Sequence, residues 1–286
     1  MKEYNILVTG IGGNVGQGIL RNIINLKENY RLIGTNVTAF SAGNHLCDKI
    51  YLVGYAFDKN YISEIQKICS DEKIDLIIPS TDYEVYYLSK EKNNLPKVAT
   101  SPADTNYIFL NKYRTFEIFK QHNIPFADTC LPHEFNNQWE EYIVKPCEGR
   151  GSRGIQINPK NVKDFDNTYM VQKLEKGLEI TTAVYINHQN EITGYITLDR
   201  ELSNGYTSEC KVITDYDEQL TVIINQIKSA LIVQGSFNIQ SIVNEKDEII
   251  PFEINGRISG TNSIRSNFGF EDVKYMVTSV PTTTTF

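Results

Sequence analysis

The feature that most restricts the fold of this chain is a change of rhythm about one third of the way along it. Roughly the first hundred residues alternate short apolar runs with segments whose apolar residues have helical spacing. Repeated alternation of this kind predicts a parallel sheet with helices on both faces. The predicted strands are 6–9, 32–37, 49–53, 74–78 and a short one from Val98, and the predicted helices are 15–26 and 61–69.

The rest of the chain is rich in β-runs, and predicted helices become sparse. Ser101, Pro102 and Asp104 have the pattern of a helix start with Ser101 as its cap. Long β-runs separated by few helices predict antiparallel sheets, so we expect an α/β domain followed by an α+β domain. The β-runs are 142–145, 154–157, 168–174, 179–186, 192–199 and 206–214, and the further helices are 112–122 and 218–232.

Composition narrows the class of function. The 286 residues are enough for two domains, and a net charge of −7 without a dense lysine or arginine block argues against nucleic acid as a partner. The five cysteines are scattered with no Cys-x-x-Cys pair, which predicts reduced thiols and a cytoplasmic protein. The N-terminal apolar stretch is too short for a signal peptide, and no run approaches the length of a membrane helix, so we expect no membrane partner.

The segment from Gln240 to Arg257 predicts a hairpin that carries oxygen ligands. Two apolar runs flank a polar turn centred on 246–247. With that turn, Gln240 faces Glu253 across the ladder, and Asn255 points to the same side as Glu253. Oxygen ligands of this kind suit Mg²⁺, which proteins often bind through carboxylates together with substrate phosphates. Arg257 adds positive charge for phosphate oxygens, and a solvated strand face is the alternative interpretation.

A glycine-rich turn follows the first predicted strand. Gly10, Gly13 and Gly16 fit the spacing G-x-x-G-x-x-G that occurs in short-chain dehydrogenases, whereas G-x-G-x-x-G fails because Val15 stands at its third glycine. The second predicted strand ends without the carboxylate that an NAD site uses to bind ribose. The loop therefore either binds a small ligand or only permits a tight turn, and an NAD(P)-dependent dehydrogenase is a minor alternative.

A second glycine-rich loop follows a lysine at the end of an apolar strand. Beyond Lys145, the next residues include Gly149, Gly151, Ser152 and Gly154. Glycines let backbone N–H groups approach phosphates closely and let a loop move as a lid. A phosphate-covering loop and a flexible surface hairpin both fit this stretch.

In this order and spacing, the motifs resemble those of the ATP-grasp superfamily, and within it the carbamoyl-phosphate-synthase-like branch. The resemblance covers nearly the whole chain. The motif Phe-Glu-Ile-Asn-Gly-Arg-Ile-Ser-Gly at 252–260, with 235–240 before it, resembles the metal-binding end of that fold. Thr181 and Thr182 depart from the family pattern, because another acid often stands there. The chain is also too short for a carbamoyl phosphate synthase, which has two such units.

The resemblance implies two domains and a role for individual residues. The implied domains are a Rossmann-like pre-ATP-grasp domain at 1–105 and an ATP-grasp domain at 106–286, with a lid subdomain at about 112–172 and a C-terminal subdomain at about 173–286. The implied nucleotide-binding residues are Lys112, Lys145, Gly149, Gly151, Ser152, Gly154, Gln172, Lys173, Leu174 and Glu179. The implied metal ligands are Gln240, Glu253 and Asn255, and the implied catalytic residues are Lys145, Lys211 and Arg257, with Arg200 as a further phosphate or carboxylate contact.

The acceptor pocket is expected at the carboxyl ends of the parallel strands, where open sheets bind ligands. The candidate substrate residues are Gly12, Asn14, Asp82 and Arg265. A surface or helix-capping role is the alternative for Arg265.

The implied activity is ligation of a carboxylate to an amine or another nitrogen nucleophile through an acyl phosphate, with ATP cleaved to ADP and phosphate. The expected cofactors are ATP and Mg²⁺, with Mn²⁺ as an alternative ion. The expected partners are the small-molecule carboxylate and amine substrates, and a homodimer is left open. The alternative is an ATP-binding subunit without ligase activity of its own, acting within a larger complex.

Overall fold

The N-terminal part of the chain folds around a five-stranded sheet. The structure, a computed structural model, describes residues 4–149, 151, 153–203 and 206–278. The strand order is β3-β2-β1-β4-β5, and every neighbouring pair is parallel. The elements in chain order are β1 (Tyr4–Val8), α1 (Asn14–Asn25), β2 (Tyr30–Asn36), β3 (Lys49–Leu52), α2 (Tyr61–Glu72), β4 (Leu76–Ile78), α3 (Asp82–Lys90) and β5 (Lys97–Val98).

Both faces of this parallel sheet are covered. Along β1, Ile6 and Val8 pack into one core cluster with residues of α1, and Leu7 packs into another with residues of α2. Successive side chains of a strand point to opposite faces, so a strand covered on both sides reads as an unbroken apolar run. The predicted parallel sheet with helices on both faces is therefore confirmed.

Two helices connect this sheet to the rest of the chain, α4 (Ala103–Leu110) and α5 (Lys112–Gln121). The prediction that Ser101 caps α4 is wrong, because the helix begins only at its second following residue. The Ser101 hydroxyl instead donates to the carbonyl of Gln234 at 3.0 Å and accepts from the amide of Gln234 at 2.9 Å. The hydroxyl that would cap the helix is therefore used in a tertiary contact.

The remainder forms two antiparallel sheets, as predicted. The four-stranded sheet has the order β6-β9-β7-β8, and the five-stranded one has the order β12-β11-β10-β13-β14. None of the helices in the described part of the chain is long and apolar enough to cross a membrane. The elements are β6 (Thr129–Cys130), β7 (Tyr142–Pro146), β8 (Gln156–Ile157), β9 (Tyr169–Lys173), β10 (Leu178–Ile186), β11 (Ile192–Ser203), β12 (Tyr206–Ile213), α6 (Asp217–Ala230), β13 (Gly235–Val243), β14 (Ile249–Asn255), α7 (Asn262–Arg265) and α8 (Asp272–Thr278).

The two faces of the five-stranded antiparallel sheet differ in character. Val184 and Phe237 point to one face, where they pack against α6 in an apolar cluster. Gln240 lies an odd number of residues from Phe237 on the same strand, so its side chain points to the other face. Glu253 is the ladder partner of Gln240 and therefore points to that face too. The sheet thus turns polar side chains toward the four-stranded sheet and the N-terminal domain.

The C-terminal helices tie the second part of the chain back to the first. Asn262 is fully buried, and its side-chain amide donates to the carbonyl of Val15 at 3.3 Å. A Cβ on Gly18 of α1 would meet Asn262 at 2.3 Å, so glycine at this position permits the close packing. One apolar cluster also runs from β1 and α1 to Phe270 and Met276. The two parts therefore share a core, and this fixes the space between them.

Candidate active site

The hairpin of β13 and β14 places Gln240 opposite Glu253, as predicted. The predicted two-residue turn is wrong, however. The amide of Asn244 donates to the carbonyl of Glu248 at 3.1 Å, and Asp247 has a left-handed φ of 59°, which is typical of a three-residue loop. A bulge next to Gln240 then shifts the ladder by one residue and restores the predicted pair. The two departures from the predicted hairpin cancel at the site.

Gln240, Glu253 and Asn255 form an amide-and-acid cluster on one face of this hairpin. The Asn255 side-chain amide donates to Glu253 Oε1 at 3.0 Å, and Gln240 Nε2 donates to Asn255 Oδ1 at 3.4 Å. Arg200 donates to Gln240 Oε1 at 2.9 Å from the neighbouring β11. The three proposed metal ligands are thus close together, with one carboxylate among them.

Two lysines reach the amide-and-acid cluster from other elements. Lys112, the first residue of α5, places Nζ 3.6 Å from Glu253 Oε1 and donates to the carbonyl of Gly149 at 3.2 Å. Lys145, on β7, donates to the carbonyl of Phe252 at 3.5 Å. Both lysines are buried, with 7% and 4% of their surface exposed. They can therefore act on a ligand in the same space that the cluster faces.

Burial and mutual charge change the ionisation of these groups. Burial lowers the pKa of Lys145 to about 8, with the charge of Lys112 acting in the same direction and Glu253 opposing it. Burial by itself raises the pKa of Glu253, but the charges of Lys112 and Lys145 outweigh it and hold that pKa below its usual value. Glu253 is therefore ionised at neutral pH, and the neighbouring Lys145 has a pKa only slightly above neutral pH.

A cavity of about 150 Å³ opens between the two antiparallel sheets. We call it the nucleotide cleft, after the residues in its lining that were predicted from the sequence to bind nucleotide. The four-stranded sheet and its loop contribute apolar and basic side chains, and the five-stranded sheet contributes acids and amides. Ligand sites usually enclose about 300–1,000 Å³, so the cleft would have to open further to enclose a ligand of nucleotide size. The lining residues are Lys112, Ile143, Lys145, Pro146, Gly149, Gly151, Arg153, Ile155, Glu179, Gln240, Phe252 and Glu253.

The loop after β7 covers the nucleotide cleft. Gly149 and Gly151 line the cleft, while Gly151 and Gly154 have φ values of 60° and 75°, which side chains other than glycine rarely adopt. Gly154 does not line the nucleotide cleft, and a Cβ at this position would meet Pro146 at 3.2 Å. Ser152, also predicted to bind nucleotide, lies outside the described residues.

Of the remaining residues predicted to bind nucleotide, Glu179 borders the nucleotide cleft, whereas Gln172, Lys173 and Leu174 are not among its lining residues. The carboxylate of Glu179 accepts from Arg200 at 2.8 and 3.2 Å. Gln172 is buried and donates to Thr129 Oγ1 at 3.2 Å. The amides of Lys173 and Leu174 donate to the carbonyls of Asp128 and Glu141. The backbone amides of these two residues are therefore already hydrogen-bonded within the protein.

Arg257 joins the amide-and-acid cluster to the N-terminal domain. Its guanidinium donates to Asp82 Oδ2 at 3.0 and 2.9 Å and to Asn255 Oδ1 at 3.2 Å. Asp82 is the first residue of α3, directly after the loop that follows β4. The sequence placed Asp82 and Arg257 in the same site without predicting that they pair.

A second cavity, of about 400 Å³, lies on the N-terminal side of this ion pair, and we call it the switch-point cavity. It sits at the carboxyl ends of β1 and β4, where the strand order of the sheet reverses and open sheets bind ligands. Asn14 and Asp82 line it, as do Gly10 and Gly13. Gly12 does not, and a Cβ there would meet Asn36 at 2.8 Å.

Lys211 and Arg265 point away from both cavities. Lys211 pairs with Asp199 and lies, exposed, on the face opposite Arg200, because neighbouring residues of β11 point to opposite sides. Arg265 is 1% exposed and lies 2.5 Å from Asp272, so its guanidinium serves a buried ion pair and is not open to a substrate. The local sequence shows neither the ladder register nor the burial that decide these positions.

Other residues at the site were not among those singled out from the sequence. Arg153 lines both the nucleotide cleft and the switch-point cavity, and Tyr55 and Phe57 form part of the wall of the latter. The sequence signal for Arg153 was its place in the glycine-rich loop. The signal for the aromatic pair was its place directly after a predicted strand, at the edge where such sheets bind ligands.

The oxygen donors present fit a hard divalent cation in combination with phosphate. Glu253 supplies one carboxylate, and Gln240 and Asn255 supply neutral amide oxygens. Within the described residues there is no group of three histidines, cysteines or acids able to hold a metal by itself. A cation held here therefore needs further oxygen ligands, and Mg²⁺ commonly takes these from substrate phosphates and water.

Comparison with protein families places two known domains along the chain. A family model described as "PylC-like, N-terminal domain" matches residues 6–103. A second, described as "ATP-grasp domain", matches residues 109–261, which is more than half of the chain. No curated protein sequence matches significantly.

Solved structures with the same fold cover almost the entire chain. N5-carboxyaminoimidazole synthetase from Staphylococcus aureus, complexed with ADP, has a TM-score of 0.77 at 14% identity, over 98% of this chain and 78% of that one. The biotin carboxylase domain of 2-oxoglutarate carboxylase from Hydrogenobacter thermophilus, a dimer in complex with MgADP, ADP and bicarbonate, has 0.76 at 12%, over 98% and 70%. L-amino acid ligase from Bacillus licheniformis has 0.74 at 12%, over 98% and 74%. At these identities the similarity establishes the fold.

Proposed function

Because the chain belongs to the ATP-grasp family, we propose that it is an ATP-dependent ligase that joins a carboxylate to a nitrogen nucleophile. A carboxylate oxygen attacks the γ-phosphorus of ATP, and the bond from that phosphorus to the β–γ bridging oxygen breaks to release ADP. The amine nitrogen then attacks the carbonyl carbon of the acyl phosphate. Phosphate leaves, and the nitrogen loses a proton. The new bond is a carbon–nitrogen bond.

The observation that carries the proposal is the meeting of three cationic side chains with the amide-and-acid cluster. Lys112 reaches Glu253, Lys145 is buried beside them, and Arg257 donates to Asn255. Phosphoryl transfer depends mainly on positioning and on electrostatic stabilisation of the charge spread over the phosphate oxygens. A buried set of positive charges beside a hard-cation site supplies both.

The amide-and-acid cluster would hold Mg²⁺, which, when bound, neutralises phosphate charge and orients the transferring group. Glu253 would be the charged ligand, with Gln240 and Asn255 as amide oxygen ligands. Mn²⁺ takes the same kind of oxygen ligands and is the alternative ion. MgADP is bound in one of the solved structures that share the fold.

The glycine-rich loop would keep water from the acyl phosphate. Lys112 holds the carbonyl of Gly149, so the α5 lysine contacts both the loop and the cluster. Nucleotide phosphates that draw Lys112 toward themselves would change the position of the loop. Closure over the reacting group excludes water and so prevents hydrolysis of the intermediate.

We keep three finer predictions as proposals. The domain division at 105/106 is supported by the change from parallel to antiparallel sheets, with α4 and α5 between them. The carbamoyl-phosphate-synthase-like branch rests on motif resemblance, and the homodimer is supported only by the dimeric state of one structure with this fold.

Phosphate release in the presence of ATP and Mg²⁺, with a panel of carboxylates and amines, tests the proposed ligase. We expect release that depends on both an acid and an amine. Tight ATP binding without stimulation by any pair would instead favour an ATP-binding subunit that works within a larger complex.

Substitution of the metal-binding acid gives a sharper test. Glu253→Gln keeps the size of the side chain but removes its charge, so we expect turnover to fall by at least about 100-fold, since removal of one preorganised electrostatic contact commonly costs that much. Glu245→Gln, an exposed acid in the loop of the same hairpin, is the matched control and should keep full activity. Equal activity of the two variants would refute the assignment of Glu253.

A further inference from the structure

The switch-point cavity has an aromatic wall. The rings of Tyr55 and Phe57 stack with centroids 5.3 Å apart and planes inclined by 7°, and Phe57 meets Tyr83 edge to face at 5.8 Å. All three residues line the cavity. Aromatic rings prefer offset-stacked or edge-to-face contacts, so this wall offers a ring-shaped surface to a ligand.

The aromatic wall is poorly buried for a group whose only role is packing. Phe57 is 54% exposed and Tyr55 is 45% exposed. Contiguous exposed apolar surface, such as these two stacked rings beside a cavity, is a feature of ligand-binding grooves. These rings thus have surface left for a ligand.

Two arginines, Arg153 and Arg257, also line the switch-point cavity. Arg257 is paired with Asp82, whereas the guanidinium of Arg153 makes no hydrogen bond or ion pair with any described residue. Glu84 also lines the cavity, and burial raises the pKa of its carboxyl. Asp82 and Glu84 balance the formal charge of the two arginines in this lining, and Arg153, which is unpaired among the described residues, is the group that suits an anion.

Arg153 connects the switch-point cavity with the nucleotide cleft. It lines the switch-point cavity and the nucleotide cleft together, so an anion on Arg153 lies at the junction of the two. Guanidinium groups bind carboxylates in a bidentate manner. A carboxylate held there borders the nucleotide cleft, whose lining includes Gln240 and Glu253, and the rest of the molecule can occupy the cavity that the aromatic wall also lines.

We propose that the switch-point cavity selects a carboxylate substrate that carries an aromatic ring, with its carboxylate at Arg153 and its ring against Tyr55 and Phe57. This inference rests on the proposed ligase function for the role of the carboxylate. The preference for an aromatic ring concerns affinity alone, and affinity can be measured without turnover.

Three probes of similar size separate ring from charge. The purified full chain is titrated calorimetrically with 3-phenylpropanoate, with 3-cyclohexylpropanoate and with the neutral 3-phenylpropanamide. Aromatic contacts add to plain apolar burial, so we expect the phenyl acid to bind about 2- to 10-fold more tightly than the cyclohexyl acid. We expect it to bind about 10-fold more tightly than the amide, which lacks the charge.

Two variants with one matched control assign these preferences to residues. Phe57→Leu should remove the preference for the phenyl acid over the cyclohexyl acid. Arg153→Gln should weaken the phenyl acid about 10-fold and leave the amide unchanged. Phe40→Leu changes a phenylalanine that is 95% exposed and does not line the cavity, so it should alter none of the affinities.

Equal affinities for the phenyl and cyclohexyl acids would overturn the proposal, as would identical behaviour of Phe57→Leu and Phe40→Leu. A Phe57→Leu variant that changes only the oligomeric state, measured by light scattering, would assign the aromatic wall to contact between chains and would overturn it too. ADP with Mg²⁺ is titrated in parallel. ADP binding without carboxylate selectivity refutes the substrate class alone, whereas absent ADP binding refutes the proposed ligase and leaves the carboxylate result valid.

Discussion

At the scale of single residues, Lys145 shows how position sets chemistry. Its ammonium is almost completely buried next to a second lysine, and this lowers its pKa to about 8. An amine with this pKa is charged at neutral pH and neutral in mild alkali. Phosphate oxygens nearby favour the charged form, so nucleotide binding and protonation of Lys145 are linked.

Nucleotide affinity should therefore fall as pH rises through about 8. Below that pKa the lysine is already charged and meets the phosphates without taking up a proton, whereas above it binding must also protonate the amine. Titration of ADP with Mg²⁺ from about pH 7 to about pH 9.5 measures the effect. Lys145→Met is the control, because it should bind more weakly and lack this step. A step of the same size in both proteins would contradict the role of Lys145.

At the scale of elements, the turn from β1 into α1 depends on close backbone approach. Gly10 has a φ of 60°, and a Cβ on Gly16 would lie 2.7 Å from the carbonyl oxygen of Gly10. The glycine spacing in the sequence is thus explained by the geometry of the turn at these two positions. The same turn lines the switch-point cavity, so its glycines can both permit the tight turn and leave room for a ligand.

Gly16→Ala should destabilise the fold by about 1–3 kcal/mol, since the added methyl group forces backbone atoms apart. Gly13→Ala is the matched control, because its Cβ would meet nothing closer than 3.7 Å and should cost about 1 kcal/mol or less. Urea unfolding followed by circular dichroism gives both values. A smaller loss for Gly16→Ala than for Gly13→Ala would show that the turn can relax.

At the scale of the whole molecule, a buried polar group holds the C-terminal helices in place. Arg265 donates to Asp272 and to the hydroxyls of Ser259 and Thr261, and Asp272 also accepts from Ser236 of β13 at 2.7 Å. These contacts join α7 and α8 to the five-stranded sheet. Because the same helices pack on α1, they set the distance between the two parts of the chain.

Arg265→Met should lower the free energy of unfolding by about 3–5 kcal/mol, because it leaves the carboxylate of Asp272 buried without its partner. Arg114→Met removes an exposed pair with Glu117 and should cost less than about 1 kcal/mol. Urea unfolding of both variants distinguishes them. Unchanged stability of Arg265→Met, together with a raised KM for the carboxylate substrate, would return Arg265 to its predicted role in substrate binding.

Local patterns in the sequence were sufficient to predict each layer of the fold. Buried parallel strands appear as unbroken apolar runs, and strand residues two apart share a face, so Glu253 and Asn255 could be placed together. Both patterns extend over only a few residues, so they predict strands and strand faces without any knowledge of tertiary contacts. The pair of Gln240 and Glu253 was predicted correctly although a longer turn and a bulge compensate each other.

Only the tertiary structure decided which distant groups meet. Arg257 finds Asp82 across 175 positions of the chain, Lys112 approaches Glu253 from a helix, and the ladder with β11 turns Lys211 away. Arg265, a candidate substrate-binding residue, is instead buried in an ion pair with Asp272. These outcomes depend on how sheets and helices pack together, and no spacing within one segment records that packing.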